Sequence, residues 1–158
     1  DKTDLRHKEI HMSLTLNLYH IVISTKYRRM TINPEHERDL YRYLWSLLDG
    51  RKCKLLRMGG IANHVHILAD LHPTVSLAAI AGELKRKSSL WMKRSGLFPI
   101  FEGWGEDYFG VSKSSGDRDV LINYIKNQKE HHKNTCFEEE YRRLVEGSGR
   151  QWDDRFLT

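Results

Sequence analysis

The stretch KLLRMGGIANHVHILAD, residues 54–70, decides the fold. Lys54 to Met58 reads as a strand, Gly59-Gly60 as a turn, and Ile61 to Asp70 as the next strand. In that second strand Val65, Ile67 and Ala69 alternate with His64, His66 and Leu68. One parity can enter a core while the other sets two imidazoles side by side on the same face. Upstream, Leu14 to Thr25 alternates as a long strand, with Leu14, Leu16 and Leu18 on one parity and Tyr19, Ile21 and Ile23 on the other. Between these strands Asn33-Pro34 opens a helix, with Asn33 as N-cap and Glu35 and Glu37 in the first turn. Its stripe is Leu40, Tyr43, Leu44, Leu47 and Leu48, and Gly50 ends it.

Downstream, a helix is expected from about Ser76 to Lys93, with Leu77, Ile80, Ala81, Leu84 and Trp91 on its apolar side. A fourth strand follows near Asp107–Ser112, then a linker at Ser114-Ser115-Gly116. Asp117 is placed to cap a helix running to about His132, and a short acidic helix spans Phe137–Val145. The order β-α-β-β-α-β predicts an α+β, ferredoxin-like fold. That plan is an antiparallel four-stranded sheet with two helices on one face, and the last helices are additions to it.

The chain has 158 residues, 39% of them hydrophobic, which suffices for one domain with a real core. We expect residues 1–12 to be a leader or disordered, with Met12 as a natural start. The main domain is expected over 13–136, and an acidic helix and tail over 137–158. Three prolines, eleven glycines and sixteen aromatics exclude a low-complexity chain. No apolar run approaches the ~20 residues of a membrane span, and with no charged n-region, apolar h-region and cleavage site read at the start, secretion is not expected. Cys53 and Cys136 cannot form a disulfide framework or a four-thiolate zinc site, which fits a reducing cytoplasm.

Net charge is +5, but residues 137–158 hold six acids against four bases, so the first 136 residues carry +7. The bases cluster at Lys26, Arg28 and Arg29, at Arg51, Lys52, Lys54 and Arg57, at Lys85, Arg86, Lys87, Lys93 and Arg94, and at Lys126, Lys129 and Lys133. Charge runs are commonly just solvated faces, yet four basic clusters favour a polyanionic partner, nucleic acid first.

His64-Val65-His66 offers half of a divalent-metal site, although H-x-H also arises by chance in a chain with nine histidines. Tyr124 and Gln128 are four apart and share a helical face, with Val120, Leu121 and Ile125 as the buried stripe. Taken alone, Tyr124 reads as an ordinary amphipathic core residue. A third histidine at position 62 or 68 would suggest a histidine-triad nucleotide hydrolase, but Ala62 and Leu68 stand there. A non-catalytic nucleic-acid-binding module on the same sheet is an alternative, and a dimeric metal sensor would leave the basic surface unexplained.

Together the motifs resemble the HUH endonucleases. The likeness is to the single-tyrosine transposases of small insertion sequences and their relatives associated with repetitive extragenic palindromes. It covers most of residues 18–132. The matching elements are Tyr19-His20-Ile21-Val22 with Thr25-Lys26-Tyr27-Arg28-Arg29, and Asn63-His64-Val65-His66-Ile67-Leu68. Leu84-Lys85-Arg86-Lys87-Ser88-Ser89, Trp104 with Tyr108-Phe109 and Ser112, and Tyr124-Ile125-Lys126-Asn127-Gln128 complete the series.

The resemblance implies that His64, His66 and Gln128 hold a divalent ion, Mg²⁺ or Mn²⁺, and that Tyr124 attacks DNA to form a 5′-phosphotyrosine. Candidate bases for its proton are His20, His131 and His132. Lys26, Arg28, Arg29, Lys85, Arg86 and Lys87 would hold the backbone of single-stranded DNA with hairpin ends. It further implies a homodimer with an active site shared between chains. The joint Lys113-Ser114-Ser115-Gly116-Asp117 would let Tyr124 cross to the partner.

Overall fold

The computed structural model describes residues 14–157, so the expected leader over 1–12 lies outside the described residues. Four strands form one antiparallel sheet in the order β2-β3-β1-β4: β1 Leu18–Ser24, β2 Lys54–Ile61, β3 His64–Asp70 and β4 Phe109–Ser112. Helices α1 (Glu37–Gly50) and α2 (Leu77–Ser95) pack on one face. There Ile21, Ile23, Val65, Ile67 and Ala69 meet Leu40, Leu44, Leu48, Ile80, Leu84 and Met92, all buried. Helices α3 (Arg118–Lys126), α4 (Gln128–His131) and α5 (Phe137–Gly147) complete the chain. On the opposite face Leu18 and Leu68 pack with Ile125 of α3, and Val22 and Phe109 with Phe137, Tyr141 and Val145 of α5. The α+β, ferredoxin-like expectation holds.

Several boundaries move, each for a local reason. The first strand starts at Leu18 rather than Leu14, and Leu14 and Leu16 are exposed. Its ladder with β3 ends at the Leu18–Asp70 pair, where the Asn17 N–H turns to donate to the Asp70 carboxylate at 2.9 Å. Gly59 and Gly60 are no turn. β2 runs through them to Ile61, and the turn is Ala62-Asn63. Glycine is required because backbone comes close: a Cβ on Gly59 would lie 2.7 Å from the Ile125 carbonyl oxygen, and one on Gly60 2.0 Å from that of His64.

Asn33 caps as expected, its side chain accepting from the Glu35 N–H, but it opens a 3-10 turn, Pro34–His36, that leads into α1. The fourth strand begins only at Phe109. Ser114, not Asp117, caps the turn before α3, and the Asp117 carboxylate answers in a reciprocal capping box. The single helix expected to His132 is two, because Asn127 leaves helical backbone at φ −96°, ψ 17°. Val120, assigned to the buried stripe, is 72% exposed, whereas Ile125 is buried.

Candidate metal centre and nucleophile

β3 alternation aims His64, His66 and Leu68 at the face covered by α3–α5, and both imidazoles are fully buried. The neighbouring strand adds His20 on the same face, its Nε2 2.8 Å from His66 Nδ1. The Gly59–Ile125 approach seats α3 on β2. Tyr124 and, past the Asn127 break, Gln128 thereby come over the histidines. The Tyr124 ring stands edge-on to His66, with centroids 5.6 Å apart.

At the centre lies a residue that the sequence reading missed, Glu140 of α5, 2% exposed. Its Oε1 is 3.0 Å from His66 Nε2, 3.3 Å from His64 Nε2 and 3.2 Å from His132 Nε2. Its Oε2 accepts from the Gln128 amide at 2.9 Å and from the Tyr124 hydroxyl. Gln128 Oε1 lies 2.9 Å from His64 Nε2 and 3.0 Å from His132 Nε2. Asn63, through Oδ1, is 2.8 Å from His64 Nδ1, and the Phe137 ring stacks on His64 at 4.0 Å. Glu140 and Phe137 lie beyond the expected boundary at residue 136.

Electrostatics follow from burial. It depresses His20 to about 3 and His64 to about 4, so both rings are neutral near pH 7. Burial alone would raise Glu140, but its close contacts with the His132, His64 and His66 imidazoles hold its carboxyl well below the usual range. Burial, then the hydrogen bond to Glu140 and that carboxylate's charge, push the Tyr124 phenol above its ordinary value.

The donor set fits a divalent ion. His64, His66 and Glu140 offer donor atoms within 4.8 Å of one another, and so do His131, His132 and Glu140. Donors about 2.0–2.2 Å from an octahedral ion sit roughly 3.0 Å apart along an edge, close to the 2.9–3.3 Å separations here. His66 has a neighbour behind its Nδ1, and so has His64, the arrangement that orients metal-bound imidazoles.

Within the chain, Tyr124 lies against His66 and Glu140, because α3 docks on β2 and β3 of the same sheet. Of the expected DNA contacts, Lys26, Lys85 and Arg86 line one cleft of about 670 Å³ with Tyr27, Lys93 and Trp104. Lys85 also donates to the Glu106 and Asp107 carbonyls. Arg28, Arg29 and Lys87 do not line that cleft. They bond to the Phe156 carbonyl, Glu102 and Glu83.

The family model described as "Transposase IS200 like" matches residues 13–128, which include both strand histidines, Tyr124 and Gln128. The chain belongs to this transposase family. Transposases for insertion sequence element IS200 from Salmonella typhimurium and Salmonella typhi are each 31% identical over 120 residues, covering 73% of this chain and 78% of theirs. Among solved structures, a candidate transposase from Deinococcus radiodurans superposes with a TM-score of 0.57 at 23% identity, over 73% of this chain and 93% of that one. A REP-associated tyrosine transposase bound to a REP hairpin gives 0.60 at 11% identity, over 77% and 71%. Both show the fold of this IS200-like transposase. No helix among its described residues is long and apolar enough to cross a membrane. His132 and Glu140 lie beyond the family match.

Proposed function

We propose that this transposase nicks and rejoins single-stranded, hairpin-bearing DNA in the cytoplasm through a 5′-phosphotyrosine on Tyr124. The supporting observation is that Tyr124 and Gln128 converge with His64 and His66 on one buried carboxylate within a single chain. Tyr124 Oη attacks the scissile phosphorus, the bond to the leaving 3′ oxygen breaks, and that oxygen leaves as a 3′-hydroxyl once protonated. The phosphotyrosine keeps the phosphodiester's energy, so a second 3′-hydroxyl can reverse the step without ATP.

A divalent ion, Mg²⁺ or Mn²⁺, would be held by His64, His66 and Gln128 and would supply Lewis-acid polarisation of the phosphate. Glu140 Oε2 is the acceptor in place for the phenol's proton. His20 instead contacts His66, and His132 the Thr135 carbonyl, which argues against either as the base. His64, His66, Gln128 and Glu140 are all at most 2% exposed, and Tyr124 is half-buried, so the strand approaches from the phenol's side. Lys26, Lys85 and Arg86 give the backbone a basic track beside Tyr27.

The test is a labelled hairpin oligonucleotide with Mg²⁺ or Mn²⁺, resolved on a denaturing gel. Wild type forms a covalent adduct, while Tyr124→Phe and His64→Ala form none. An adduct with Tyr124→Phe would remove the assignment. We also propose a homodimer in which each chain keeps a complete site. Mixing Tyr124→Phe with His64→Ala protein then restores no nicking, and light scattering reports the dimer.

A further inference from the structure

We infer that His132 and Glu140 are themselves ligands of the ion, making the centre a transition-metal site of three imidazoles, a carboxylate and an amide oxygen. This rests on the metal-dependent reading above and extends it to two residues outside the family match.

Lone pairs on the imidazoles point to the ion. The Asn63 amide donates to the Arg28 carbonyl at 3.3 Å, which turns its Oδ1 towards His64. An oxygen 2.8 Å from Nδ1 requires the proton there, so His64 Nε2 is bare. The Thr135 carbonyl, which can only accept, lies 2.7 Å from His132 Nδ1, so that ring also carries its proton on the far side. Gln128 is oriented as well, because its amide nitrogen donates to Glu140 Oε2 and its oxygen must face the imidazoles.

Two bare nitrogens therefore meet the same two oxygens. His64 Nε2 and His132 Nε2 lie 2.9 and 3.0 Å from Gln128 Oε1, and 3.3 and 3.2 Å from Glu140 Oε1. With one proton on each ring, none lies between these four atoms, and lone pairs at such separations repel unless a cation sits among them. His66 Nε2, 3.0 Å from the same Glu140 oxygen, is the fifth member. Three imidazoles select Mn²⁺, Co²⁺ or Zn²⁺, whereas Mg²⁺ prefers oxygen ligands and water. His131 serves as the contrast. Its Nε2 is 3.3 Å from Oε2, the carboxylate oxygen already taken by Tyr124 and Gln128.

The experiment uses the full chain, stripped of metal with a chelator and dialysed against Mn²⁺, Zn²⁺ or Mg²⁺. We expect one ion per chain, with Mn²⁺ bound tighter than Mg²⁺, and three imidazoles by X-ray absorption of the Zn²⁺ or Mn²⁺ form. His132→Ala should lower that number to two and weaken Mn²⁺ at least about tenfold, the lower end of the loss seen even for outer-sphere partners. Glu140→Gln should weaken Mn²⁺ likewise, and His131→Ala should change neither. Two imidazoles in the wild type, two ions per chain, Mg²⁺ preferred over Mn²⁺, or unchanged affinity in His132→Ala would each overturn the inference. The wild-type absorption measurement needs no variant to fold. Nicking separates the two readings: a wild type that binds metal as described yet leaves hairpin DNA uncut refutes the proposed function alone. Nicking by a protein with a two-imidazole site refutes this inference alone.

Discussion

Gly59→Ala is expected to damage the site without touching any residue in it. The added Cβ would lie 2.7 Å from the Ile125 carbonyl oxygen and 3.2 Å from Ile125 Cγ2, where ordinary contact begins at 3.4 Å. The obstructing oxygen is helix backbone, so α3 must retreat by about 0.7 Å from the strand, by that difference. Overpacking of this kind costs about 1–3 kcal/mol. At roughly 2–4 °C per kcal/mol for a domain this size, Tm falls by about 2–12 °C. Ile125 directly follows Tyr124, so the proposed nucleophile moves with it. Displacements approaching 1 Å cost up to about 10²-fold in rate, and nicking should fall by roughly 10- to 100-fold. Thermal unfolding and single-turnover nicking of a labelled hairpin supply the two readouts. Gly60→Ala should fare worse, since its Cβ meets the His64 carbonyl of its own hairpin at 2.0 Å. Gly50→Ala has open space around it and should lose nothing. A Gly59→Ala protein with wild-type Tm and wild-type nicking would refute the claim that this approach seats the nucleophile helix.

His20→Phe keeps a ring but removes the nitrogen 2.8 Å from His66 Nδ1, and should weaken Mn²⁺ by about 10- to 100-fold in dialysis; unchanged affinity would free His66 from that support. Replacing Lys26 and Arg86, which line the basic cleft, should lower the salt slope of hairpin binding by about 0.7 per lost single-strand phosphate contact. Lys87→Ala, whose ammonium is held by Glu83, should not, and the reverse result would move the DNA path. Glu83 is buried, and its carboxyl is held below the ordinary value by hydrogen bonding from Lys87, against burial, and by Arg51. Its stabilisation is complete above the ordinary carboxylate value and is lost as pH falls through the depressed one. The Tm gap between wild type and Glu83→Gln should accordingly be open at pH 7 and close in acid, and a gap that widens in acid would reverse the sign.

What the sequence made legible was periodic. Two-residue alternation on β3 separated the core residues Val65, Ile67 and Ala69 from His64 and His66, and the structure keeps that division. Four-residue spacing brought Tyr124 and Gln128 onto one side, even though Asn127 interrupts the helix between them. The Gly59-Gly60 pair misled, because a glycine that admits a neighbouring backbone is indistinguishable in sequence from one that turns the chain. Glu140 was missed although a signal existed. Phe137, Tyr141, Leu144 and Val145 mark an apolar stripe on α5, and Glu140 falls within it, whereas Glu138 and Glu139 face solvent. A carboxylate in an apolar stripe breaks the pattern, and such breaks concentrate at functional sites. His132 carried no comparable mark. Its proposed role depends on the Thr135 carbonyl, a contact set by the turn after α4.

The two oxygens of Glu140 are compensated unequally, and this ties the fold to the chemistry. Apolar contacts of Phe137, Tyr141 and Val145 with Val22 and Phe109 are enough to dock α5 on the sheet, so the carboxylate is carried inward by packing it does not itself supply. Burying an ionised carboxylate costs several kcal/mol unless partners replace its water. Oε2 has such partners, the Tyr124 hydroxyl and the Gln128 amide, both true donors. Oε1 faces three imidazole nitrogens, and on His64 and His132 the ring proton points away, towards Asn63 and Thr135. One half of the carboxylate is thus satisfied by the protein, in a way that holds the nucleophile. The other half is the one that the proposed cation would satisfy. A fold selected for stability alone would place leucine at position 140. In the proposed centre, glutamate there lets the same side chain hold the phenol on one oxygen and a cation on the other.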